Sequence, residues 1–196
     1  MFGIIDLASL PKDRYYLYRS VWNKKAETLH ILPHWTWPGR EGKVTPVFVY
    51  TNHPTAELFI NGKSYGKQSK NNSSLKNRYR LMWMDAVYEP GEIKVVAYNK
   101  DGKAVAEKIV RTAGKPHHIE LVADRNRLRA DGKDLAFVTV KVVDKDGNLC
   151  PDAQTLIQFR VKGEGSYRAG ANGNPASLEQ FHLPQMLSLI HISEPT

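Results

Sequence analysis

The run His34-Trp35-Thr36-Trp37-Pro38-Gly39-Arg40 is the most site-like stretch of this chain. Aromatic faces stack on sugar rings, and a histidine or an arginine can hydrogen-bond sugar hydroxyls. His34, Trp35 and Trp37 are therefore the candidates for a place near a carbohydrate. The competing reading packs Trp35 or Trp37 into a core or an interface, where large aromatics dominate the energetics, and it is the favoured one.

The other reactive residue types form no working constellation. His117 and His118 are adjacent, and neighbours on a strand face opposite ways, so no metal ligand set is read there. Asp144, Asp146 and Asn148 alternate around Gly147. That loop lacks the length and the later glutamate of a calcium-binding hand, and it reads as a turn. Cys150 has no histidine partner pattern and no second cysteine, so neither a nucleophile nor an internal disulfide is expected. Asn71 and Asn72 each open an Asn-x-Ser match, a common chance event. Metal sites and cofactors are expected to be none.

The net charge is +8, which raises nucleic acid as a partner. The cations are spread along the chain, however. The densest group, Arg125, Arg127 and Arg129, alternates as on a solvated strand face beside Asp124 and Asp131. No nucleic-acid partner is expected. No apolar run approaches the roughly 20 residues that cross a bilayer, so no membrane partner is expected either. Met1 to Leu10 has neither a basic n-region nor a small-residue cleavage site, so no signal peptide is read there.

The elements that position these residues are mostly strands. Pro11 opens a helical stretch in which Arg14, Tyr15, Tyr18, Val21 and Trp22 recur at helical spacing. Its large aromatic face demands a partner, and no other convincing helix follows. Strands are expected over 29–35, 44–50, 56–60, 63–68, 79–83, 93–98 and 104–110. Asn61-Gly62 and Asp101-Gly102 supply hairpin turns. Seven short strands with regular turns suggest an immunoglobulin-like sandwich. After the linker Gly114-Lys115-Pro116, strands over 119–122, 136–143 and 155–161 begin a second sandwich. It reaches four or five strands by Gly173, where about seven are expected.

FGIIDLASLPKDRYYLYRSVWN (2–23) resembles the end of the catalytic barrel in family 2 glycoside hydrolases. LHILPHWTWPGREGKVTPVFVYTN and AELFINGKSYGKQ resemble the β-sandwich that follows the barrel in bacterial β-galactosidases. IELVADRNRLRADGKDLAFVTVKVVDKDGNLCPDA and GEGSYRAGANGNPASLEQFH resemble the next, invasin-like sandwich. The resemblance implies a mainly β chain with four parts. Residues 1–25 would be the end of a (β/α)8 barrel, its last strand end and helix. Residues 26–113 would be an immunoglobulin-like sandwich, and 114–186 a truncated second one. Residues 187–196 (LSLIHISEPT) look like translated sequencing adapter, a non-native tail.

Such enzymes use two glutamates about 5 Å apart, both on earlier barrel strands. None of Glu27, Glu41, Glu57, Glu89, Glu92, Glu107, Glu120, Glu164 and Glu179 matches their motifs. Asp6 comes after the apolar run 2–5, so it is expected to cap the next turn or pair with Arg14. The resemblance therefore implies a non-catalytic C-terminal portion of a retaining, β-galactosidase-like hydrolase, inactive alone. Its carbohydrate substrate would be met through the barrel, and a homo-oligomer of the parent enzyme is compatible with it. Enzymes of this type are often exported to the periplasm or secreted. The alternative is a carbohydrate-binding or adhesin-like pair of sandwiches, which has no reason to carry residues 2–23.

Overall fold

A computed structural model describes residues 3–174 and 176–188. The chain forms two compact units, one built on Met1–Thr112 and the other on Ala113–Asn172 with the described residues from Ser177 onward.

The first unit opens with a turn. Ile5 bridges Pro11, and the Asp6 carboxylate accepts the Leu10 N–H at 2.8 Å, so Asp6 caps the turn. Helix α1 comes next, over Asp13–Trp22. Its inner side meets the neighbouring strands through buried Ser20 and through Tyr16, whose ring stacks on His30 at 3.9 Å. Tyr18 and Trp22 stack on each other at 4.7 Å on the outside, and Trp22 is 73% exposed. The large aromatic face read from the sequence is thus the face that these strands do not cover.

Strands β1 (Leu29–Leu32), β2 (Val47–Thr51), β3 (Thr55–Ile60) and β4 (Lys63–Ser69) come next. A short helix α2 (Leu75–Tyr79) then leads to β5 (Leu81–Trp83), β6 (Glu92–Tyr98) and β7 (Ala104–Arg111). They make a three-stranded sheet in the order β1-β2-β5 and a four-stranded sheet in the order β4-β3-β6-β7. Along β3 and β6, buried residues alternate with less buried ones, as a half-covered sheet requires. Val47, Val49, Leu81 and Trp83 of one sheet and Leu58, Ile60, Ile93 and Val95 of the other form one core. The result is a seven-stranded sandwich.

Four expectations are corrected here. The stretch 79–83 is not all strand, and α1 is not the only helix. Ser74 takes the N-cap position and accepts the Asn77 N–H at 3.1 Å, which starts α2, while β5 begins only at Leu81. The strand expected over 29–35 ends at Leu32, and 44–46 contributes only a bridge between Val44 and Val87.

Asn61 and Gly62 both have positive φ, 48° and 81°, in the β3–β4 hairpin, as a type I′ turn needs. A Cβ at Gly62 would meet nothing within 4 Å, so a substitution there costs backbone strain alone. Gly62→Val should lower the stability of this unit by roughly 1 kcal/mol or more in a thermal melt, because a β-branched residue resists positive φ. A melt unchanged by the substitution would rule out that turn.

The second unit contains β8 (His118–Ala123), β9 (Val138–Val143), β10 (Leu156–Gln158) and β11 (Gln185–Leu187). They pair as two separate two-stranded sheets, β8-β9 and β10-β11. The strand expected over 155–161 is cut to three residues. Its pairing with β11 takes in Leu187, and Ser188 adds a backbone bond to Thr155 at 2.9 Å. The rest of the tail read as non-native lies outside the described residues. Arg125, Arg127 and Arg129 do not sit on a strand. They lie in the loop between β8 and β9, where Arg125 pairs with Asp124 at 3.0 Å and Asp134 at 3.3 Å.

Candidate functional site

The loop after β1 carries the three candidate residues, and the structure gives each a different environment. Trp35 is fully buried at 0% exposure and lies in the core. Its indole N–H donates to the Glu89 carbonyl at 3.0 Å, and its ring meets Tyr88 edge-on at 5.1 Å. Its own carbonyl accepts the Thr112 hydroxyl. Every polar atom of that indole is spent on the fold.

Trp37 is half-buried and packs against the same core. Its backbone N–H donates to the Tyr88 hydroxyl at 3.2 Å, and its indole N–H donates to the His34 carbonyl at 2.7 Å. The His34 and Trp37 rings stack at 4.0 Å with an interplanar angle of 19°. Arg40 closes the loop by donating to the Val44 carbonyl at 3.0 Å, and Gly42 donates to the Tyr88 carbonyl at 2.9 Å. His34 and Trp37 therefore form a fixed aromatic pair, with Trp35 as the anchor below it. Period-two reasoning would put Trp35 and Trp37 on one face; the loop turns between them and separates them.

Sequence reasoning passed over a second aromatic cluster. His30 bonds Asp13 of α1 at 2.7 Å and stacks on Tyr16. Tyr50 lies beside them, and burial pushes its phenol up. The only prior signal was the aromatic spacing of α1, which pointed outward rather than to Tyr16. These contacts fasten helix to sheet. Lys70 is similarly structural: burial pushes its ammonium down to about 8, and its Nζ donates to the Thr51 carbonyl.

The remaining candidates serve local structure. Asp144 accepts the N–H groups of Gly114, Asp146 and Asn148 and the Asn148 side chain, which hold its carboxyl far below the usual carboxylate range. It is a turn cap. Cys150 is buried, and burial pushes its thiol up, away from thiolate chemistry. His117 and His118 contact each other at 3.2 Å. Among the described residues, no three His, Cys, Asp or Glu side chains gather as a metal centre would need. No described helix is long and apolar enough to cross a membrane.

Comparison with known proteins bears on both units. Residues 42–106 match a domain of unknown function (DUF4982), and residues 119–189 match glycoside hydrolase family 2 C-terminal domain 5. Over 92% of its length the chain is 50% identical to the β-galactosidase BoGH2A of Bacteroides ovatus, of which it covers 20%. It is 35% identical to a putative β-glucuronidase of Formosa agariphila, over 89% of this chain and 16% of that one. Among solved structures it resembles a family 2 glycosyl hydrolase from Bacteroides cellulosilyticus, with a TM-score of 0.84 at 33% identity over 96% of this chain and 27% of that one. It resembles equally a β-glycosidase from Bacteroides vulgatus, with a TM-score of 0.84 at 36% identity over 96% of this chain and 23% of that one. The chain thus spans about a fifth of the length of the curated relatives it matches.

Proposed function

We propose that this chain, a C-terminal portion of glycoside hydrolase family 2, supports a β-galactoside-cleaving barrel and does no chemistry itself. In this reading residues 1–25 close the barrel, 26–113 form the first accessory sandwich and 114–186 the second. The carbohydrate is met through the barrel. The observation that carries the reading is 50% identity to a β-galactosidase over 92% of the chain. The outward Tyr18–Trp22 stack supports it, because a helix at a barrel's rim needs a second neighbour.

Two assays test the reading. The purified chain should hydrolyse chromogenic β-galactosides no faster than a buffer blank. A chimera in which the whole chain replaces the matching C-terminal part of the Bacteroides ovatus enzyme should regain kcat/KM within roughly tenfold of the parent, about 1.4 kcal/mol. A soluble, folded chimera without β-galactosidase activity would overturn the assignment. So would turnover by the chain alone that one acidic substitution in it abolishes.

A further inference from the structure

The loop carrying His34 and Trp37 has a defined place relative to α1. Arg19, in the last turns of the helix, reaches the Glu27 carbonyl at 3.4 Å. His30 meets Asp13, at the start of the helix, at 2.7 Å. The chain from 27 to 32 therefore runs back along α1 toward its N-terminus. At roughly 3.3 Å per residue, β1 has run past that end by Leu32, and the loop with His34 and Trp37 starts from there. The segment before the helix arrives at the same end: Ile5 bridges Pro11, and the Lys12 N–H donates to the Ile4 carbonyl at 3.0 Å.

In a (β/α)8 barrel, the C-terminal ends of strands and the N-terminal ends of helices share one face, and that face holds the active site. We infer that Trp37, backed by His34, is a stacking platform for a sugar ring at the rim of the barrel's cleft. This rests on the reading of α1 as the closing helix. An enzyme that removes a terminal sugar seats that sugar at the cleft floor. A rim platform therefore meets the next ring, on the leaving-group side of the bond. The site is built for this role. Both N–H groups of Trp37 are satisfied within the unit, at 3.2 and 2.7 Å, so its ring is held in one orientation before any ligand arrives. Trp37 as a residue is only half-buried. Trp35 has no open face and only anchors the loop.

The test uses the active chimera and two substrates: lactose, whose leaving group is a sugar ring, and methyl β-galactoside, whose leaving group is not. Trp37→Ala should raise KM for lactose roughly tenfold, the loss of about one stacking contact, and leave kcat and the methyl glycoside unchanged. Trp37→Phe, which keeps a ring, should recover most of the loss. Equal losses on both substrates, or no loss on lactose, would overturn the inference. If Trp37→Ala melts well below the chimera, Trp37→Leu is read in its place, since it fills volume without a ring face. A chimera that cleaves no β-galactoside removes the parent reading and this inference together. An active chimera with an unselective Trp37→Ala removes the inference alone.

Discussion

Replacing Trp35 with alanine should cost the first unit about 3–5 kcal/mol, the range for emptying a large aromatic site in a core. The side chain has 0% exposure and sits among Tyr88 and the two sheets, so its removal leaves a cavity rather than a relaxed surface. It also leaves the Glu89 carbonyl without its indole donor. A small domain holds roughly 5–15 kcal/mol in total, so this one change consumes a large share of it. The melting temperature should fall by well over 10 °C, and the Glu92–Tyr98 amides should lose most of their exchange protection. Trp37→Ala, at a half-buried position two residues away, should cost far less. A Trp35→Ala protein that melts within 2 °C of the parent would show that the loop is not anchored from below.

That contrast marks where the sequence could be read and where it could not. The Asn61-Gly62 hairpin was legible because two adjacent positive φ values admit few residue types, and both are present. The uncovered face of α1 was legible because Tyr18 and Trp22 recur at helical spacing and stack outside. The buried side was not: Tyr16 is chosen by His30, a residue on another element. Helix α2 was missed because five residues carry no periodicity, and only the Ser74 cap announces it. For the candidate site, residue type alone singled out His34, Trp35 and Trp37. Their division into a buried core residue and a half-buried stacked pair depends on Glu89 and Tyr88, some fifty residues further along, and no local pattern contains that.

The second unit should be the weaker one in this chain, and by a wide margin. Its packed cluster consists of Val142, Cys150, Ala153 and Ile157, with Ala113, Val140 and Phe159 against it. In the β8-β9 pair, Leu121 lies opposite Val140, and Ala123 opposite Val138, on one face. That face is covered at Val142 but open further along: Leu121 is 67% exposed and Val138 51%. Among the described residues, each two-stranded sheet also has unpaired edges. Apolar surface left in water forfeits roughly 25 cal/mol per Å², so a few hundred Å² removes several kcal/mol. That is comparable to the whole stability of a small domain. Amides of Val138–Val143 should therefore exchange much faster than those of Glu92–Tyr98 in the same sample. Protease should cut beyond Thr112 first, and an apolar dye should bind the chain before the first unit melts. In the chimera, any sequence that covers the Leu121–Val138 face should slow that exchange. Equal protection of the two strands in the isolated chain would mean that the exposed face costs nothing, and that the second unit is self-sufficient with its four described strands.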